Sequence, residues 1–136
     1  MKRSIILGAI LGAFVTEGAS AACASPSVQV TDIAGLLSGN TICSGTPPNF
    51  NWQEEHHANG TLWDFKKGDG DPVDPRKQVG SWQVSGNTIT HSYAQGSATS
   101  GPFSFEVWDN GDGTYSFCGA TTVDFTIATG INVGCP

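Results

Sequence analysis

Gly80-Ser81-Trp82-Gln83-Val84-Ser85-Gly86-Asn87-Thr88-Ile89-Thr90-His91-Ser92-Tyr93 is the stretch that decides the architecture. Two runs of period-two alternation flank Gly86-Asn87, a dipeptide that tolerates the positive φ of a two-residue hairpin turn. Registered on that tip, Val84 pairs with Ile89, Trp82 with His91 and Gly80 with Tyr93. Directly paired residues share one face of a sheet. A histidine therefore lands on the apolar side, between two aromatic residues.

The same punctuation recurs on both sides of this hairpin. Eighteen glycines and seven prolines break the chain into short alternating runs, and only residues 31–37 carry a helical spacing, for about two turns. Strands are predicted at 40–44, 51–57, 61–67, 80–84, 88–93, 102–108, 114–118 and 122–128. Short strands at such close spacing predict an all-β fold, an antiparallel meander of about eight strands built as a barrel or a sandwich.

Asn59-Gly60 reads as a second two-residue tip. That register pairs His57 with Leu62, His56 with Trp63 and Glu54 with Phe65. It gathers Trp52, Glu54, His56, Trp63, Phe65 and the stem of Lys67 on one face. Gln53, Glu55, His57, Leu62, Asp64 and Lys66 fall on the other, expected to be wet. A third hairpin, with Asn110-Gly111-Asp112 as its loop, pairs Val107 with Tyr115 and Phe105 with Phe117. This choice keeps Phe103, Phe105, Val107, Tyr115 and Phe117 on the inward side, and Val123, Phe125 and Ile127 continue it.

Residues 1–21 read as a signal peptide. Lys2 and Arg3 precede an apolar run from Ile5 to Val15, and Ala19-Ser20-Ala21 has the small-x-small form of a cleavage site before Ala22. The apolar run is too short for a stable membrane span, which needs about 20 residues. Cys23 lacks the leucine-like residue that usually stands three positions before a lipidated cysteine, which disfavours a lipid anchor. The expected product is one all-β domain, residues 22–136, in the periplasm or secreted from a bacterium. It keeps four of the six basic residues and eleven of the twelve acidic ones. Such a surface argues against nucleic acid, whose phosphates demand clustered Lys and Arg. The four remaining cations, Lys66, Lys67, Arg76 and Lys77, sit among Asp69, Asp71 and Asp74 and read as a solvated loop.

Cys23, Cys43, Cys118 and Cys135 form an even set, which in an exported chain predicts two disulfides. Of the three connectivities, Cys43–Cys118 with Cys23–Cys135 is favoured, since it joins an early strand to a late one and ties the termini together. No spacing matches a zinc knuckle or a CxxC redox pair.

Chemistry could reside in Glu54 and His56, which alternate onto one face, together with His91 on another hairpin. If the sheet closes, the three could converge in an aromatic interior, as anchors for an organic ligand or as ligands to a first-row metal; the alternatives are hydrogen-bonded core-edge residues, or solvated ones if the register is different. His56 and His57 point to opposite faces and cannot readily share a metal. The sequence assigns no cofactor and no metal. Asp69 to Asp74 and Asp109 to Gly113 depart from the EF-hand ligand series and read as turns. No GxSxG elbow exists, and Glu106, which could pair with Glu54 as a second carboxylate, faces outward. No enzymatic activity is therefore assigned. An outward Trp108 leaves a protein-contact surface open.

Leu37-Ser38-Gly39-Asn40-Thr41-Ile42-Cys43, Trp52-Gln53-Glu54-Glu55-His56, Gly80-Ser81-Trp82 leading into Gly86-Asn87-Thr88, and Tyr115-Ser116-Phe117-Cys118 together span most of residues 22–136. This pattern resembles small exported proteobacterial proteins of unknown function. Gly-x-Trp followed by a hairpin is also similar to lipocalin-type (calycin-type) barrels, although in lipocalins it opens the first strand. The resemblance implies a small lipocalin-like β-barrel that binds a hydrophobic or amphipathic small molecule. Trp52, Trp63, Phe65, Trp82 and Tyr93 would form its walls, and Glu54, His56 and His91 its polar anchors. The alternatives are an interaction or structural envelope protein with a filled core, and a metal-binding protein.

Overall fold

The computed structural model describes residues 22–46, 49–66, 76–94 and 101–136, with backbone only at 46, 49–51, 65 and 66. The expected signal peptide, Lys67, the acidic loop 69–74 and the side chains of Phe65 and Lys66 lie outside that description. A short strand β1 (Val28–Gln29) and one helix α1 (Ile33–Leu37) precede eight further strands. These are β2 (Asn40–Thr46), β3 (Asn49–His56), β4 (Thr61–Lys66), β5 (Lys77–Ser85), β6 (Thr88–Tyr93), β7 (Phe103–Asp109), β8 (Tyr115–Cys118) and β9 (Thr122–Ala128). Each of β2 to β9 pairs antiparallel with the next, and β9 pairs back onto β2 through Thr41↔Ala128, Ile42↔Ile127, Cys43↔Thr126 and Ser44↔Phe125. The sheet is thus a closed eight-stranded barrel rather than a sandwich. The two-residue β1, which sequence reading missed, pairs with the last residues of β7.

Inward positions of the strands fill one end of the barrel. Ile42, Leu62, Trp82, Ile89, Val107, Phe117 and Phe125 form the buried core. Ile33 and Leu37, four residues apart on α1 and therefore on one face, add to it where the chain enters β2. Asp32 caps α1 by accepting a hydrogen bond from the Gly35 N–H. Gly80, between Leu62 of β4 and Tyr93 of β6, has to be glycine, because a Cβ there would collide with the carbonyl oxygen of Ser92.

The Gly86-Asn87 hairpin has the expected register, with Val84↔Ile89, Trp82↔His91 and Gly80↔Tyr93. The third hairpin is displaced by two residues, to Val107↔Phe117 and Asp109↔Tyr115. Asp109, Asn110 and Asp112 side chains bond within the loop and lengthen it. A shift of two preserves the faces, so the inward aromatic set stands.

The Asn59-Gly60 hairpin is displaced by one residue, and that changes its faces. Gly60 alone takes positive φ (83°), His57 N–H bonds to the Thr61 carbonyl, and the tip becomes the three residues Ala58-Asn59-Gly60. His56 now pairs with Leu62, Glu55 with Trp63 and Glu54 with Asp64. Leu62 and Asp64 turn inward, and Trp63 turns outward. A bulge between Gln53 and Glu54 also takes Phe65 out of the direct pairing, with Gln53 opposite Lys66.

The expected wet face of β3 is covered by the C-terminal tail. Asn132 N–H donates to Glu55 (2.6 Å), Cys135 N–H donates to Gln53 (2.8 Å), and Thr41 donates to the Gly130 carbonyl (2.8 Å). Glu55 is wholly buried and is held by Arg76 (Nη2–Oε2 2.9 Å) and His57 (2.7 Å). Arg76, exposed just before β5 as expected, is nonetheless engaged, since its guanidinium also lies 4.7 Å over Trp63. Burial alone would raise the Glu55 carboxyl, but its bonds from Arg76, His57 and Asn132 hold it below the ordinary value.

The disulfides are Cys23–Cys118 and Cys43–Cys135, which corrects the favoured connectivity. Cys43 lies on β2 and Cys118 on β8, with β9 between them. Strands two apart are separated by about 10 Å, beyond the Cα reach of a disulfide. Cys43 instead meets the tail on the outside of the barrel. Replacing Cys43 and Cys135 together by serine is expected to cost about 2–5 kcal/mol in urea unfolding and to free the tail amides for hydrogen exchange, while the Cys23–Cys118 bond stays intact.

Candidate functional site

Glu54 and His56 alternate on β3 and so share its inward face, while His91 reaches the interior from β6. Two strands separate β3 from β6 in the sheet, so these side chains meet across the barrel and not along it. His56 Nε2 and His91 Nε2 lie 3.0 Å apart in a buried hydrogen bond. A ring nitrogen of each histidine and a carboxylate oxygen of Glu54 all lie within 4.8 Å of one another. The Tyr93 hydroxyl donates to Glu54 Oε2 at 2.9 Å. Glu54 Oε1 and His56 Nδ1 are buried with no hydrogen-bond partner among the described residues. Interiors leave few such atoms, and here both belong to one cluster.

Above the cluster is a cavity of about 370 Å³, lined by Trp52, Glu54, Asp64, His91, Tyr93, Phe103, Phe105, Phe117 and Val123. These residues come from the barrel end served by the β2–β3, β4–β5, β6–β7 and β8–β9 connections. The polar atoms lie on Glu54, Asp64, His91 and Tyr93, and the remaining walls are apolar and mostly aromatic. His91 packs edge-on to Phe117 (5.3 Å between centroids) and Phe117 stacks on Phe125 (4.3 Å).

Burial, with a smaller contribution from the Asp64 charge, raises the Glu54 carboxyl to about 8 despite its bond from Tyr93. That direction favours the protonated form at neutral pH. Burial lowers His91 to about 4, and burial together with His91 lowers His56 well below its usual value. Burial and the neighbouring Glu54 raise the Tyr93 phenol. Glu54, His56, His91 and Tyr93 thus form a set of polar groups whose burial favours their neutral forms, able to accept or donate hydrogen bonds, with the Asp64 carboxylate also on the cavity lining. Two neutral imidazoles beside a carboxyl are also a reasonable donor set for a late first-row metal ion.

Trp52, Glu54, His91 and Tyr93, named from the sequence, line the cavity together. His56 and Trp82 lie beneath it, their rings 5.4 Å apart in the core. Trp63 is excluded, being on the outer face with His57 and Arg76. Phe65 lies in β4, its side chain outside the described residues. Asp64 was missed as a lining residue because the one-residue slip had placed it outside, and the correct loop length at Asn59-Gly60 would have found it. Glu106 is exposed, bonded to Trp108 Nε1, and plays no part with Glu54.

The geometry defines a class: a closed eight-stranded antiparallel barrel, filled at one end, with a polar cluster under an aromatic cavity at the other. Comparison with protein-family models, curated proteins and solved structures finds no match in any of the three.

The pH dependence of stability follows from these groups. Unfolded Glu54 loses its proton near 4.5 but the folded one keeps it to about 8, so its contribution is full below 4.5 and is lost as pH rises towards 8. The imidazoles run the other way. Their contribution is full above 6.5 and is lost on acidification, through about 4 for His91. In chelator-treated protein, unfolding free energy is expected to peak near pH 6.5 and to fall by about 1 kcal/mol by pH 8. Glu54→Gln, which cannot ionise, should abolish that alkaline decline in denaturant titrations run across the pH range.

Proposed function

We propose that this protein binds a small amphipathic molecule in the cavity at the end of its barrel that bears Glu54 and Tyr93. The observation that carries the reading is a buried carboxyl oxygen, Glu54 Oε1, with no hydrogen-bond partner among the described residues, in a cavity lined mostly by aromatics. Ligand pockets combine an apolar lining with a few placed polar groups and range over about 300–1,000 Å³. At about 370 Å³ the cavity suits a compact ligand, one or two rings with a hydrogen-bonding head. Trp52, Phe103 and Phe105 would hold the body, and Glu54, Tyr93 and His91 the head.

The closed barrel also supports the lipocalin-like resemblance, as an architecture that encloses ligands between its strands. Two disulfides support an oxidising compartment, either periplasmic or secreted. Among the described residues no helix is long and apolar enough to cross a membrane.

The fluorescence of N-phenyl-1-naphthylamine, a neutral two-ring amine with one N–H donor, tests the reading. Saturable one-to-one enhancement is expected. It should weaken about tenfold in Trp52→Ala and in Phe103→Ala, each of which removes a wall, and should be unchanged in Trp108→Phe on the outer face. No saturable binding, or binding indifferent to both wall substitutions, overturns the cavity as a ligand site and leaves the interaction-protein reading.

A further inference from the structure

We infer that Glu54, His56 and His91 form a binding site for one late first-row divalent cation of the zinc class, with its open coordination position facing the cavity. The inference stands on the cluster beneath the cavity and does not rest on an organic ligand being bound.

Three features carry it. First, the donor set is two imidazoles and one carboxylate, which suits zinc and its neighbours and does not suit calcium or magnesium. Second, the spacing is close to that of a coordination sphere. Metal–ligand bonds of about 2.0–2.2 Å in a tetrahedral site hold the donor atoms about 3.2–3.6 Å apart. The two Nε2 atoms lie 3.0 Å apart, and the carboxylate oxygen, within 4.8 Å of both ring nitrogens, needs to move in by about 1 Å. Third, Glu54 Oε1 has no partner among the described residues although it is buried. A cation between the three side chains supplies that partner.

The surroundings fit the same assignment. Tyr93, donating to the other carboxylate oxygen, orients Glu54 as outer hydrogen bonds orient metal ligands. Both Glu54 and His91 border the cavity, so a fourth ligand can reach the ion from that side. One Nε2 now carries the hydrogen-bonding proton. On coordination that proton moves to Nδ1 of the same ring, and any proton on the carboxyl leaves to solvent. The outer pair Glu55–His57 offers no comparable site, because Arg76 and the Asn132 N–H already occupy its carboxylate.

His56, Glu54 and His91 are buried and their replacement could impair folding, so the first test needs no variant. The chain has three histidines, and two are in the cluster. Tag-free, chelator-stripped protein is titrated with Co²⁺ while the imidazole signals are followed by NMR, and the ion is then displaced with Zn²⁺. The expected result is one equivalent of Co²⁺, visible ligand-field bands, and large contact shifts at His56 and His91, with only small through-space shifts at His57. Folded Glu54→Gln and His91→Gln should bind about 100-fold more weakly or worse, Tyr93→Phe about tenfold more weakly, and His57→Ala as wild type. No uptake of either ion by wild-type protein overturns the site. So does uptake whose shifts fall on His57, or that survives both Glu54→Gln and His91→Gln. Naphthylamine binding reads the cavity walls separately, so either reading can fail while the other stands.

Discussion

Everything else in this molecule depends on the pairing of β9 with β2. An open meander would leave two long edges, and its apolar face would need another layer to cover it. Four residue pairs between Thr41–Ser44 and Phe125–Ala128 close the sheet and create an inside. Only then do β3 and β6, which never hydrogen-bond to each other, face across a common interior. The buried contact between His56 and His91 is a product of that closure, as is the cavity above it.

Glu54 and Glu55 show how strongly the environment decides chemistry. They are neighbours on one strand and point to opposite faces. Glu55 faces out, yet it is buried under the C-terminal tail, where Arg76, His57 and the Asn132 N–H satisfy it as an anion. Its network ties the tail to β3, beside the Cys43–Cys135 bond. Glu54 faces in, has one bond from Tyr93, and is held neutral by burial. A fully partnered buried carboxylate reads as structure, whereas an incompletely partnered one beside a cavity reads as a place for something to bind.

The sequence was most legible where the signal was local. The Gly86-Asn87 turn gave the register of β5 and β6 directly, and with it the inward placement of Trp82, His91 and Tyr93. The β7–β8 loop was read two residues short, but an even shift leaves faces intact, so Phe105, Val107 and Phe117 were still assigned inward. The Asn59-Gly60 turn was read one residue short, and an odd shift exchanges faces. Leu62 and Asp64 were assigned outside and Trp63 inside, each the reverse of the structure. The difference between a two-residue and a three-residue turn is set by whether Asn59 joins Gly60 at positive φ, and that dipeptide is compatible with both.

By itself the sequence determined the meander: alternation and turn residues specify eight strands in order and most of the side chains that each presents inward. These are interactions between residues close along the chain, written into spacing. Tertiary structure decided the rest. It paired Cys23 with Cys118 and Cys43 with Cys135, laid the tail over Glu55, and brought His91 against His56 and Glu54. Each of those contacts joins segments far apart in the chain, and their distance depends on barrel curvature, closure and the path of the tail. No local period encodes those quantities.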